Sequence, residues 1–383
     1  MYSCSVPFYD GYQPSRERGC GATTLCHGRN LLARENPIEK GIAGKTILLT
    51  GAGGFIGSAL AEAIMRQKPA HLILVEHSER NLNEIDLKLA ASSPRDLYTS
   101  VLGDVCDTKL LSEILQRYGP HAVYHAAAFK HVPLMETNPF AAVANNALGT
   151  YNLAKLVRAS GVANMLMIST DKAVNPISIM GASKRVAELA LLNFDSPRTR
   201  MNAIRLGNVW GSPGSVVPRF LHQISHGGPI TVTHPEVSRY FLQIEEAVEW
   251  IFLVARLETG SGIFIPQLGA PMKIVDVAQQ LINQDSSKME RPILVTFTGL
   301  RTGDKMSEEF FAVEEAPEPT IDRRLFQVIS KKILSDSFHV DMDQLSNSVE
   351  QRDLTSMIET LCKIVPTYRP TALLRGATAH ASA

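Results

Sequence analysis

The chain has 383 residues, 45% hydrophobic and 20% charged, enough to bury a large core and form one bipartite unit. Lysine plus arginine equals aspartate plus glutamate at 38 each, which argues against nucleic acid or an anionic membrane surface as a partner. No apolar run approaches the roughly 18 residues of a membrane-spanning helix, so no membrane insertion is expected.

Residues 1–40 read as an irregular N-terminal extension sprinkled with Gly, Ser and Arg. Cys4, Cys20, Cys26 and His27 fall there in a spacing that fits no common zinc site, so no metal is expected. Five cysteines, an odd number, and no signal peptide predict a reducing, cytoplasmic setting. From Lys45 to about Arg205 strand and helix signals alternate, as a parallel doubly wound α/β sheet requires.

The strand-like Lys45–Leu49 runs into Thr50-Gly-Ala-Gly-Gly-Phe-Ile-Gly-Ser58, and a helix follows over Ser58–Met65. Gly51, Gly54 and Gly57 have the short-chain spacing of the dinucleotide fingerprint. Glycine permits the tight turn, close approach of backbone to a pyrophosphate, and close packing of helix on strand. The pyrophosphate then sits at the helix start, beside Phe55 and Ile56.

A second strand, His71–Val75, ends at Glu76, placed to accept from both adenosine ribose hydroxyls and to repel a 2′-phosphate. That favours NAD. Arg80 and His77 stand close enough in sequence to hold a phosphate, which keeps NADP open. Asp104 and Val105 fall where the adenine lies, and the small Ala126, Ala127 and Ala128 end a strand over which the cofactor can pass.

An apolar run, Asn164–Ile168, delivers Thr170, Asp171 and Lys172 to the end of another strand. A loop with Pro176 follows, then a helical segment carrying Lys184. Hydroxyl, carboxyl and two amines gathered at a strand end are what proton-transfer chemistry on one small substrate needs.

Residues 41–206, with a return segment at about 236–265, are read as the nucleotide-binding domain. In the return segment, Ile244, Val248, Ile251 and Phe252 share one helical face of Gln243–Arg256. Residues 207–235 and 266–345 form a smaller C-terminal substrate domain, 346–371 a closing helix, and 372–383 a disordered tail.

The segments TGAGGFIGS, HAAAFKHVPLMETNP, NNALGTYNL, STDKAVNPISIMGASKRVAE, GNVWGSPGSVVPRF, THPEVSRYF and LRTGDKMSEEFF, in this order, closely resemble the nucleotide-sugar 4,6-dehydratases. These are extended short-chain dehydrogenase/reductases with a Rossmann-type domain, acting on UDP-N-acetylglucosamine in polysaccharide and glycan synthesis. The resemblance runs from about Asn30 to Pro370. It implies a tightly held nicotinamide cofactor, a UDP-sugar substrate and a homo-oligomer, to which residues 1–40 could contribute a contact.

The resemblance also assigns roles. Lys184 binds the nicotinamide ribose, and Thr170 hydrogen-bonds the sugar's 4-oxygen. Lys172, if kept neutral by burial and by Lys184, removes the carbon-5 proton. Asp171, if protonated in a desolvated site, donates to the departing 6-hydroxyl. Asn208, Arg239 and Arg301 meet the nucleotide diphosphate, for which the planar arginine fork is suited. Lys130, His131 and Glu136 line the mouth of the sugar pocket, Val216 adds a substrate contact, and Met135 reads as packing.

One position departs from the usual Tyr-x-x-x-Lys: here it is Met180-Gly-Ala-Ser-Lys184. A thioether cannot take a proton, which leaves the base for the 4-hydroxyl open, with Asp171 and a water held by Thr170 as the candidates. Methionine also stands here in the long, membrane-anchored branch of the family, which the Asn30–Arg34 lead-in also resembles; that branch retains configuration at carbon 5. The membrane segments and extra domain of that branch are expected to be absent. Two other readings stay open: a UDP-sugar epimerase, which normally needs tyrosine at position 180, and a non-catalytic NAD-binding homologue.

Overall fold

The structure is a computed structural model that describes residues 41–258, 260–285, 292–330 and 337–381. The extension at 1–40, with the lead-in at Asn30–Arg34 and Cys4, Cys20 and Cys26, lies outside the described residues. The strands are β1 (Thr46–Thr50), β2 (His71–Glu76), β3 (Tyr98–Leu102), β4 (Ala122–His125), β5 (Asn164–Thr170), β6 (Arg200–Leu206), β7 (Asn208–Val209), β8 (Ile230–Val232), β9 (Ser238–Arg239), β10 (Phe241–Leu242), β11 (Gly262–Pro266), β12 (Met272–Lys273), β13 (Val295–Phe297), β14 (Glu315–Pro319) and β15 (Leu325–Ser330). The helices are α1 (Phe55–Arg66), α2 (Glu79–Ala90), α3 (Thr108–Tyr118), α4 (Val132–Thr137), α5 (Pro139–Ala142), α6 (Gly149–Ala159), α7 (Ile179–Asn193), α8 (Val216–Ser225), α9 (Ile244–Arg256), α10 (Ile274–Asp285), α11 (Phe338–Glu350), α12 (Leu354–Ile364) and α13 (Ala372–Ala381).

Nine strands form one sheet in the order β14-β15-β11-β6-β5-β4-β1-β2-β3. From β11 to β3 every pairing is parallel, and β15 and β14 extend the far edge antiparallel. Strands covered on both faces must be apolar on both, which is why Thr46-Ile-Leu-Leu-Thr50 and His71-Leu-Ile-Leu-Val-Glu76 read as continuous runs. Leu48, Ile73 and Val123 turn to one core with α3, α6, α7, α11 and α12; Ile47, Leu49, Leu72 and Leu74 turn to the other with α1, α2 and α9. Strand order reverses between β1 and β4, so the ligand crevice of such a sheet opens beyond the carboxyl ends of these strands.

A third, smaller core gathers Val217, Phe220 and Ile224 of α8, Ile230 and Val232 of β8, and Val277 and Leu281 of α10. Residues 315–330 do not belong with it. They form β14 and β15 of the large sheet, whereas the sequence groups 266–345 with the substrate domain. Phe338, Met342 and Leu345 of α11 likewise pack in the core that holds α7. The tail expected at 372–383 is helical over Ala372–Ala381, because Leu374, 2% exposed, anchors it in that same core.

Candidate active site

At the end of β1 the chain turns through Gly51 with φ +67°. A Cβ on Gly51 would stand 2.5 Å from the Ala127 amide nitrogen, and one on Gly57 would stand 2.0 Å from the Gly51 carbonyl oxygen. Both close approaches exclude any other residue. Gly54 caps α1 without a side-chain acceptor, and the first turn, which begins with Phe55 and Ile56, carries no acid. A helix start left open in this way presents amides and positive dipole to an anion.

Glu76 is buried beside this turn. Its carboxylate accepts from the Gly53 and Ser78 amides at 3.0 Å each, with His77 Nδ1 at 3.2 Å. Arg80 is exposed and pairs with Glu84 at 3.0 Å, on the helix after β2. Asp104 accepts from the Cys106 amide at 2.8 Å, and Val105 is buried next to it. Ala126 and Ala127 are half-buried and Ala128 is exposed, beyond the end of β4.

Where β5 ends, Thr170 caps a short turn by accepting from the Lys172 amide at 3.3 Å, and its hydroxyl donates to Asp171 Oδ1 at 2.8 Å. Lys172 Nζ donates to the same oxygen at 2.9 Å and to Asn208 Oδ1 at 3.2 Å. Asp171 is fully buried, and its Oδ2 has no hydrogen-bond partner among the described residues. Groups far apart in sequence thus meet at one point, and an acceptor is left open there.

The groups around Lys172 work against the expected neutral amine. Burial favours the neutral amine, but the Asp171 and Glu308 carboxylates outweigh it and, against Arg239, hold the ammonium above its ordinary 10.5. Lys184, which was expected to help neutralise it, is itself the lowered amine. Burial pushes Lys184 down to about 8, with Glu188 countering. Met180 lies one turn earlier on α7, 3% exposed and packed in the main core. Ser178 caps α7 through the Gly181 amide at 3.2 Å.

Beneath α7 runs a buried polar chain that the sequence did not reveal. Thr50 Oγ1 meets His125 Nδ1 at 2.7 Å, and His125 Nε2 meets Thr150 Oγ1 at 2.9 Å. Thr150 donates to the Asn146 carbonyl at 2.7 Å, and the Asn146 amide donates to Ser183 at 3.1 Å. Burial, then the charge of Lys184, push the His125 imidazole down to about 3, so it is neutral. A π-helical segment, Val143–Leu148, turns Asn145 and Asn146 inward; such segments gather at functional sites. The doubled asparagine of NNALGT was the available signal.

On the substrate side, Lys130 donates to Ser212 at 2.6 Å and to the Pro213 carbonyl at 3.0 Å. His131 precedes α4, and Gly214 packs so closely on its ring that a Cβ would stand 2.4 Å from it. Burial, Lys130 and Arg301 lower the His131 pKa. Val216 opens α8. Arg301 is half-exposed and pairs with Asp304 at 2.8 Å. Arg239, 9% exposed, donates to the carbonyls of Ser238 at 2.7 Å, Lys305 at 2.8 Å and Met306 at 3.3 Å.

Glu136 is not at a pocket mouth. It is 2% exposed, accepts from the Ile179 amide at 2.7 Å and from Thr371 at 2.7 Å, and so fastens the start of α7. Met135 is buried as packing. The sequence also missed Glu308, buried 3.4 Å from Lys172 Nζ. Lys172, Ser178, Asp304, Lys305 and Glu308 line a small cavity. A larger one lies at the amino ends of β1, β4, β5 and β6, the wrong edge of the sheet for the ligand of a doubly wound fold.

Comparison with known proteins follows this geometry. Residues 47–329 match the family described as polysaccharide biosynthesis protein. The chain is 43% identical over 293 residues to the capsular polysaccharide biosynthesis protein CapD of Staphylococcus aureus, covering 76% of this chain and 49% of that protein. It is 44% identical over 280 residues to the probable polysaccharide biosynthesis protein EpsC of Bacillus subtilis, covering 73% and 47%. The chain thus spans about half the length of these curated relatives. A UDP-N-acetylglucosamine 4,6-dehydratase (inverting) of Campylobacter jejuni is 31% identical over 71% of this chain and 79% of its own length. Among solved structures, Pen from Bacillus thuringiensis superposes with a TM-score of 0.70 at 26% identity, over 76% of this chain and 90% of that one. The dTDP-glucose 4,6-dehydratase DesIV of Streptomyces venezuelae gives 0.60 at 21%, over 69% and 87%, a likeness of fold. No helix among the described residues is long and apolar enough to cross a membrane. The matched span, the dehydratase relative and the shared sheet together show that the chain belongs to the polysaccharide biosynthesis protein family, built on the extended short-chain dehydrogenase/reductase fold.

Proposed function

We propose that this chain is a nucleotide-sugar 4,6-dehydratase that takes UDP-N-acetylglucosamine to the 4-keto-6-deoxy sugar with loss of water. The observation that carries the reading is the 2.9 Å contact of Lys172 with Asp171, beside an acceptor oxygen left open. The name of the Campylobacter relative supports the substrate, and WbmG of Bordetella bronchiseptica, solved with NAD and UDP, has the same fold.

The glycine turn at Gly51, Gly54 and Gly57 fits a dinucleotide pyrophosphate, since the close backbone packing only glycine allows sets the uncapped start of α1 beyond the end of β1. Glu76 faces that turn and favours NAD over NADP. Asp104, Val105, Ala126, Ala127 and Ala128 would line the adenosine and nicotinamide path, with Lys184 on the nicotinamide ribose. Held by these residues, NAD would supply the hydride chemistry, oxidation at carbon 4 and reduction at carbon 6.

The residues supply the proton work. Lys172 enters as an ammonium, so one proton must pass to Asp171 along their hydrogen bond. That single transfer makes a neutral amine and a carboxylic acid. The amine takes the carbon-5 proton, acidified by the 4-ketone, and the acid donates to the departing 6-hydroxyl; the ion pair is thereby restored. Lys172 then returns a proton to carbon 5. Thr170 holds the 4-oxygen and a water that carries the 4-hydroxyl proton to solvent, from which the Lys172 amine is reprotonated to restore the ion pair. Arg239, Lys305 and Arg301 would face the diphosphate, with Asn208, Lys130, His131 and Val216 around the nucleotide sugar.

Incubation with UDP-N-acetylglucosamine and mass spectrometry tests this. Loss of one water is the expected result. A new sugar of unchanged mass would make the chain an epimerase, and no product would make it a non-catalytic NAD-binding homologue.

A further inference from the structure

Glu308 stands in the segment between β13 and β14, 6% exposed. Its Oε1 lies 3.4 Å from Lys172 Nζ and 3.6 Å from Arg239 Nε. Its Oε2 lies 3.9 Å from Lys305 Nζ, beyond hydrogen-bond reach, and has no hydrogen-bond partner among the described residues. A buried carboxylate persists only where cations compensate its lost hydration, and here three converge on one. Two of them are tied elsewhere: Arg239 to three carbonyls, and Lys305 to the Val174 carbonyl at 2.6 Å. The third, Lys172, is the amine whose proton the chemistry must move.

Resting on the dehydratase reading, we infer that Glu308 is a positioning residue acting through Lys172, fixing its amine between Asp171 and the nucleotide side and holding it charged before substrate binds. The charged groups facing Lys172 are Asp171 beside it, Glu308, and the cations Arg239 and Lys305 from the opposite side; Glu309 acts on Lys305. Burial and Arg239 press toward the neutral amine, and the two carboxylates prevail. Glu308 is the one of that pair outside the proton exchange, so it can bias the amine without sharing its proton.

The test is an NMR titration of the lysine side chains in the full chain with its cofactor, with the Lys172 signal assigned by its disappearance in Lys172→Met. In Glu308→Gln the Lys172 pKa falls by about one to three units, the effect of removing one carboxylate at this range. The limb of kcat/KM that falls with rising pH moves to lower pH with it, because the active pair holds one proton between Lys172 and Asp171 and loses it there. Glu308→Asp keeps the charge one methylene further away and gives a smaller fall, so it carries the test if the glutamine variant does not fold. An unmoved Lys172 titration in either folded variant overturns the inference. A titration that moves in a protein forming no 4-keto sugar would sink the dehydratase reading and leave the Glu308–Lys172 coupling standing. Turnover lost equally at every pH, with the titration unmoved, would make Glu308 merely structural.

Discussion

Ser169 and Asp171, two residues apart at the end of β5, each touch a buried ion cluster, and the clusters differ in one respect. Around Ser169, Glu188 accepts from Ser169 at 2.6 Å, from Arg205 at 2.9 and 2.8 Å, and from Arg185 at 2.9 Å. Glu315 accepts from Arg205 at 2.7 and 3.0 Å and from the Ala312 amide at 3.0 Å, and pairs with Arg185 at 2.8 Å. Two arginines balance two glutamates, and every carboxylate oxygen has a partner. Around Asp171, Lys172, Arg239 and Lys305 face Asp171, Glu308 and, at Lys305, Glu309, and Asp171 Oδ2 and Glu308 Oε2 stay without a hydrogen bond. The closed cluster joins β5, α7, β6 and the start of β14 into one frame; the open one leaves two carboxylate oxygens without a hydrogen bond. Buried polar atoms usually find partners, and two of those without one fall together in this cluster, in keeping with the proposed chemistry.

The sharpest way to break this contrast is Lys172→Met. In the open cluster it should cost about 10²- to 10⁴-fold or more in water loss, the range of general acid–base catalysis, with cofactor still bound. The check is product by mass spectrometry beside cofactor released on denaturation. Near-normal turnover would remove Lys172 from the chemistry and dissolve the distinction.

Arg205→Met should act on stability. It strips partners from both Glu188 and Glu315 in the interior, and breaking such a network by one member costs about 3–5 kcal/mol. Denaturant unfolding measures the loss, which should exceed that of Lys172→Met. The reverse order would mean that the open cluster, and not the closed one, holds the frame.

Acid sharpens the same point. Despite burial, Arg205, Arg185 and Ser169 depress the Glu188 carboxyl from 4.5 to about 2. A depressed carboxylate stabilises the fold above its unfolded value and loses that contribution as pH falls through the folded one. The window is therefore pH 4.5 down to 2, and the amount is about 3 kcal/mol. Unfolding midpoints should fall across that window in the wild type, and much less in Glu188→Gln.

The parts legible in the sequence were local. The glycine turn announces itself because three glycines must fall within one β–α junction, and Thr170-Asp171-Lys172 because the strand before it is a plain apolar run. What escaped depended on distant chain meeting in space. Lys172 was expected to be neutral because Glu308 is invisible to local pattern, and Glu136 resembled a pocket residue until its carboxylate was seen at the start of α7. The helix at Ala372–Ala381 is masked by small residues, and one buried Leu374 decides it. Periodicity reports which face is buried, not which charge waits there.

The smallest effect is expected at Met180, the position that bears on the proposed route for the 4-hydroxyl proton. Its side chain is 3% exposed among apolar neighbours and offers no proton. Met180→Leu is nearly volume-conserving, so it should cost under about 1.5 kcal/mol of stability and change turnover only a few-fold. If Lys172 alone removes and returns the carbon-5 proton, return occurs on the face of removal and configuration is retained. In heavy water the product should then carry deuterium at carbon 5 in the original configuration, read from ring couplings after reduction of the 4-ketone. An inverted centre would require a second acid on the opposite face, and Asp171 with its open oxygen would be the first to examine. No turnover until Met180→Tyr is installed would instead show that the open cluster lacks its base for the 4-hydroxyl.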